Sequence, residues 1–125
     1  MCSLKGEILL NRFTSSINRL FTNLLQNAVQ SVPDYRHIMI DIKSELFNDK
    51  VLISVKDNGN GIEGPMINKI FTPNFTTKTS GTGLGLAMCK GIVETLNGKI
   101  WFETKEGEWT CFFVELPVYV PVSAE

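Results

Sequence analysis

The most regular pattern in the chain runs from residue 17 to residue 32. Ile17, Leu20, Phe21, Leu24, Leu25, Ala28 and Val32 recur at the three- and four-residue spacing of one helix face. Thr14, Ser15 or Ser16 supplies a start signal, and Pro33 a stop. Alternation then replaces the helical period. Ile38, Ile40 and Ile42 against Met39, Asp41 and Lys43 predict one strand, and Val51, Ile53 and Val55 against Leu52, Ser54 and Lys56 predict a second. Asn48-Asp49 between them suits a hairpin turn. Residues 99–104 and 109–116 alternate in the same way around Glu106-Gly107-Glu108, which predicts a last hairpin. Leu86, Cys89, Val93 and Leu96 return to helical spacing, ended by Asn97-Gly98. Residues 6–12 carry a short apolar run that reads as a strand. Residues 63–80 have weak periodicity, with Pro65 and Pro73, and read as a long loop with at most a short helix over 66–71. Strand, helix, two strands, loop, helix and two strands predict an α+β sandwich, its sheet mixed or antiparallel, with the helices on one face. Trp101, Phe102, Phe112 and Phe113 are expected in its core.

Several polar positions do not fit a plain scaffold. Asn23 and Asn27 lie one turn apart beside the apolar stripe, at the edge of the surface it buries. A solvated surface is the competing reading, but Asn, which competes for backbone hydrogen bonds, is a poor choice inside a long helix. Asp57 continues the inward parity of Val51, Ile53 and Val55, which is costly for a carboxylate unless something hydrogen-bonds it. It also suits the start of an Asx turn into Asn58-Gly59. Six of the ten glycines, Gly59, Gly61, Gly64, Gly81, Gly83 and Gly85, fall in two clusters within residues 57–90. Glycines just ahead of a helix leave backbone N–H groups and the positive end of the helix dipole open to an anion, which points to a phosphorylated ligand. Phe71 and Phe75 give the intervening lid something to pack, and Lys78 is either a phosphate contact or a solvated lysine. A polar loop precedes Gly81 where a dinucleotide-binding fingerprint needs a strand, and GxxxxGK[ST] is absent.

Composition narrows the class. A chain of 125 residues with 43% hydrophobic residues suits one domain, taken as 1–117 with a tail at 118–125. Twelve basic and thirteen acidic residues give a net charge of −1, which argues against nucleic acid. Cys2, Cys89 and Cys111 have neither disulfide-framework nor zinc spacing and fit a reducing cytoplasm. No apolar run reaches the roughly 18 residues of a membrane span, so no direct membrane contact is expected, although the chain could belong to something anchored.

Four separated segments, NLLQNA, DNGNGI, FTPNFTTK and GTGLGLA, together closely resemble the ATP-binding catalytic domain of bacterial sensor histidine kinases, in the GHKL superfamily with its Bergerat fold. The likeness spans roughly residues 14–117 and is nearest to the nitrogen-regulation type. It implies a two-layer sandwich with a mixed sheet and helices on one face. It implies ATP with Mg²⁺, the metal on Asn27 and supported by Asn23. Asp57 would accept from the adenine amino group, with Gly59, Gly61 and Ile62 against the base and Thr110 reaching it from the last hairpin. Phe71 and Phe75 would anchor the lid, Thr77 and Lys78 would approach the phosphates, and Gly81, Thr82, Gly83, Leu84, Gly85 and Leu86 would cradle them. The hydrolytic branches carry a water-activating Glu where this chain has Asn23, an amide that cannot serve as a base, so kinase chemistry with little hydrolysis is implied. Trp109 departs from the glycine common before the last-strand threonine. No acceptor histidine is evident, since His37 sits beside a strand and reads as surface. The implied partners are a histidine-containing dimerisation domain and a response regulator, the chain itself being monomeric. A GHKL-type ATPase and a nucleotide-dependent interaction module are the alternatives.

Overall fold

The computed structural model of the chain describes residues 4–72 and 85–118, with side chains from residue 14. Helix α1 (Leu4–Ser31) is followed by strands β1 (Ile40–Phe47) and β2 (Lys50–Asp57), a 3-10 turn (Gly64–Met66), helix α2 (Gly85–Thr95) and strands β3 (Lys99–Lys105) and β4 (Trp109–Pro117). The stripe read from the sequence is the buried face of α1: Leu20, Leu24 and Ala28 are buried, as is Val32 just past its end. The helix starts earlier than expected, at Leu4, so residues 6–12 are helical and Thr14, Ser15 and Ser16 lie inside it. A short apolar run does not distinguish strand from helix, and no proline interrupts residues 4–31.

Both hairpins form. Asn48 and Asp49 have φ of 48° and 63°, the left-handed pair that matches a two-residue turn to the twist of its strands. The sheet order is β1-β2-β4-β3. Every pairing is antiparallel, so the mixed sheet implied by the resemblance is not present among the described residues. The reason lies in the connection: β2 and β3, joined through α2, point the same way, but β4 inserts between them. Helix α2 ends as its sequence suggests. Asn97 takes φ of 62°, Gly98 N–H bonds Val93 O at 2.9 Å, and Asn97 N–H bonds Glu94 O at 3.0 Å.

One core sits between the helices and the sheet. Leu20 and Leu24 from α1, Cys89 and Val93 from α2, Ile70 from the loop, and Phe112, Val114 and Leu116 from β4 build it. Each fully buried leucine contributes roughly 2 kcal/mol by removal from water. Phe102 joins this core, whereas Trp101 stacks on Phe113 at 5.4 Å on the opposite face, which no described helix covers. The expectation that all four aromatics are core therefore holds only for Phe102 and Phe112. Odd positions of β3 and β4 point away from the helices, and parity outweighs hydrophobicity there. Burial also fails along β1: Ile38 precedes the strand and is exposed, and Ile42, although on the helix side, is 56% exposed.

Candidate functional site

The first part of the site grows from the end of β2. Asp57 is its last residue, on the inner face two positions after buried Val55, and its register partner across the sheet is Thr110 of β4. Both side chains are 3% exposed, and they are the buried polar residues of the described core. Asp57 Oδ1 accepts a 2.8 Å hydrogen bond from Gly59 N–H. The inward carboxylate and the Asx turn are thus one feature, since the turn supplies a partner that lowers the cost of burial.

The turn after Asp57 is held from three sides. A Cβ on Gly59 would overlap Ser31 at the end of α1, so glycine alone lets the turn seat there, and Asn60 N–H bonds Ser31 O at 3.1 Å. Gly61, at φ of +70°, lies against the backbone of Lys105 and Glu106, and Gly107 N–H donates to Asn60 O at 2.5 Å. Arg36 completes the clamp. Its Nη1 donates to Asn58 O at 2.6 Å and Gly59 O at 3.1 Å, and its Nη2 to Gly107 O at 3.5 Å. Asn58 folds back on residues 37–39, accepting from Met39 N–H at 2.9 Å and donating to His37 O at 2.7 Å. Ile62 N–H donates to Thr104 Oγ1 at 2.9 Å, which ties the turn to the β3–β4 hairpin.

The second part lies where α1 meets α2. Asn23 and Asn27 are half-buried beside the buried Leu20, Leu24 and Ala28. Asn23 Nδ2 donates to Arg19 O at 2.8 Å, and a Cβ on Gly85 would lie 3.6 Å from Asn23 Oδ1. The first residue of α2 therefore faces that amide. Cys89 Sγ–H reaching Leu20 O at 3.7 Å and Arg19 Nη2 donating to Met88 Sδ at 3.3 Å hold the two helices together. Among the described residues no group of three or more His, Cys, Asp or Glu is placed to hold a metal. Asn23 and Asn27 bring amide oxygens, hard ligands of the type that suits Mg²⁺ when phosphates supply the charge.

Against this geometry, the family of histidine kinase-, DNA gyrase B-, and HSP90-like ATPases matches residues 14–120. The chain belongs to that family. Within it, the chain is similar to the catalytic domains of histidine kinases. It is 39% identical over 106 residues to the sensor histidine kinase TmoS of Ectopseudomonas mendocina, covering 82% of this chain and 11% of that protein. It is 40% identical over 104 residues to sporulation kinase E of Bacillus subtilis, covering 83% and 14%. The chain therefore spans only a small part of the curated relatives it matches. The nucleotide-free catalytic domain of the histidine kinase ThkA superposes with a TM-score of 0.71 at 41% identity, over 82% of this chain and 66% of that one.

The histidine-kinase-type domain gathers some of the expected site residues. Asp57, Gly59, Gly61, Ile62 and Thr110 form one cluster, and Asn23 and Gly85 face each other in a second, with Asn27 one turn along α1. Phe71 packs edge-on against Phe102 at 6.0 Å and Phe112 at 6.3 Å. Leu86 packs against the same core. The segment leading to Phe71 is a run of three-residue turns beginning in the 3-10 turn, in place of the short helix considered for 66–71. Phe75, Thr77, Lys78, Gly81, Thr82, Gly83 and Leu84 lie outside the described residues. Sequence reasoning missed Arg36 and Thr104. Nothing in the pattern marks Arg36. Thr104 was within reach, because a hairpin centred on Gly107 pairs it with Thr110.

Proposed function

We propose that the chain is the ATP-binding catalytic module of a two-component sensor histidine kinase, transferring the γ-phosphate of Mg-ATP to a histidine on a separate dimerisation domain. The observation that carries this reading is the buried Asp57–Thr110 pair on the inner face of the sheet, in a domain of this family. Asp57 accepts from the adenine amino group, and Thr110 lies beside it. Gly59 and Gly61 keep the turn thin enough for the base to approach, and Ile62 packs on the base. Asn27 holds Mg²⁺ with support from Asn23. When bound, the metal neutralises phosphate charge. Phe71 anchors the start of the lid, with Phe75 as its second anchor. Thr77 and Lys78 approach the terminal phosphates. Gly81, Thr82, Gly83, Leu84, Gly85 and Leu86 surround them where the N-terminal dipole of α2 favours an anion.

The transfer itself needs positioning and charge neutralisation more than covalent help. The acceptor imidazole nitrogen bonds to the γ-phosphorus as the bond to the bridging oxygen breaks, and ADP leaves. Asn23 offers no base for water, so hydrolysis is slow and the phosphoryl group is kept for the histidine. The domain acts as a monomer with a dimerisation domain and a downstream response regulator as partners, without nucleic acid. It works in the cytoplasm. No described helix is long and apolar enough to cross a membrane.

Titration calorimetry with Mg-ADP tests the assignment. Asp57→Asn is expected to weaken binding at least about tenfold, or roughly 1.4 kcal/mol, because a carboxylate acceptor is replaced by an amide at a buried contact. Unchanged affinity would remove the adenine site from this end of β2.

A further inference from the structure

We propose that Thr104 sets the hydrogen-bonding polarity of the pocket floor: its hydroxyl fixes Thr110 as an acceptor and so makes the site select a base whose facing edge donates. The inference rests on the nucleotide-binding reading above and adds a specificity-determining residue to it.

The argument is a count of protons. Thr104 Oγ1 has three partners: Ile62 N–H at 2.9 Å, Trp109 O at 3.0 Å and Thr110 Oγ1 at 2.8 Å. A hydroxyl has one proton and two lone pairs. The Ile62 amide can only donate, so it occupies one lone pair. The Trp109 carbonyl can only accept, so it takes the proton of Thr104. What remains for Thr110 is the second lone pair, and the proton between the two hydroxyls must come from Thr110. Thr110 is 3% exposed, so bulk water is not at hand to turn it round. Its proton is committed to Thr104, and it offers only lone pairs to anything else.

Asp57 stands directly across the sheet from Thr110, and its carboxylate is also an acceptor, as its bond from Gly59 N–H shows. Two acceptor groups side by side favour an exocyclic amine, reached directly or through one ordered water. They disfavour a 6-oxo group, which is itself an acceptor. Buried polar groups left unmatched are what give such a site its discrimination. Asp57 alone would leave Thr110 free to donate to the oxo group and soften the choice. Thr104 removes that freedom. The same hydroxyl receives Ile62 N–H, so one residue sets both the position of the turn and the polarity of the floor.

The test compares Mg-ADP with Mg-IDP, whose base carries an oxo group where adenine carries the amine. Affinities are measured by titration calorimetry on wild type, Thr104→Val and Thr104→Ser. Valine keeps the branched shape of the strand residue but not its hydroxyl, so the Thr110 proton becomes free. The ADP:IDP affinity ratio is expected to fall by roughly fivefold or more in Thr104→Val and to return in Thr104→Ser. A ratio unchanged while both affinities fall together would mark Thr104 as merely structural and overturn the inference, leaving the nucleotide site intact. Failure of the wild-type chain to bind Mg-ADP would sink both. The polarity is also read without any variant, which covers a Thr104→Val chain that fails to fold. Proton NMR of the wild type should show a slowly exchanging Thr110 hydroxyl proton directed at Thr104, and a Thr104 proton directed at Thr110 would refute the proposal.

Discussion

Replacing Gly59 with alanine probes how the turn after Asp57 is seated. The new Cβ would lie 2.7 Å from the backbone oxygen of Ser31 and 2.8 Å from its carbonyl carbon. Ordinary contact begins near 3.5 Å, so turn and helix must separate by roughly 0.7 Å. Overpacking of this size costs about 1–3 kcal/mol. The Ser31 hydroxyl, which donates to Ala28 O at 2.8 Å, must also rotate away, and the Asn60-to-Ser31 bond must lengthen. Together these give a loss of roughly 2–4 kcal/mol. For a domain of this size that lowers Tm by about 5–15 °C, read by thermal denaturation followed by circular dichroism. Adding Ser31→Ala to Gly59→Ala is expected to recover only the hydroxyl part, because the carbonyl remains. A Tm for Gly59→Ala within about 1 °C of wild type, or full recovery in the double variant, would refute the reasoning.

Arg36→Met removes a charged donor from Asn58 O and Gly59 O and is expected to cost about 1–2 kcal/mol in urea denaturation, discounted for partial exposure. Arg36→Lys should recover less than half of that, since an ammonium lacks the planar fork that reaches two carbonyls at once, and full recovery by lysine would argue against the clamp. The Cys89 thiol is fully buried, and burial pushes its pKa from 9.0 to about 11. Unfolded thiol ionises first, so the domain is expected to keep its stability below pH 9 and to lose roughly 2–3 kcal/mol as pH rises towards 11. Cys89→Ala should flatten that alkaline slope in denaturation curves taken between those limits, and an equally steep slope in the variant would place the titrating group elsewhere.

The elements visible in the sequence were those whose signals are local. The stripe from Leu20 to Val32 is buried as its spacing requires, Asn48-Asp49 turns a hairpin, and Asn97-Gly98 closes α2. Each depends on side-chain periodicity or on the backbone preference of one or two residues, and neighbours along the chain suffice to set these. The same locality explains the misreading of residues 6–12, where the few apolar residues preceding the stripe fit either period. Parity also fixed which side of the sheet Asp57 and Thr110 would face. It could not say how far the helices would reach, which is why Ile42 points the right way and still lies open.

The sequence by itself therefore determined the apolar faces of the helices, the hairpins and the chemical types of residue that mark a nucleotide-binding family, but not where α1 begins. Tertiary structure decided what those residues do to one another. Insertion of β4 between β2 and β3 sets Thr110 opposite Asp57, and the close approach of Ser31, Arg36 and the β3–β4 hairpin holds the turn between them. These relations join residues up to 71 positions apart. No periodicity encodes them, because a hydrogen bond between distant groups exists only after burial has brought them within about 3 Å of each other.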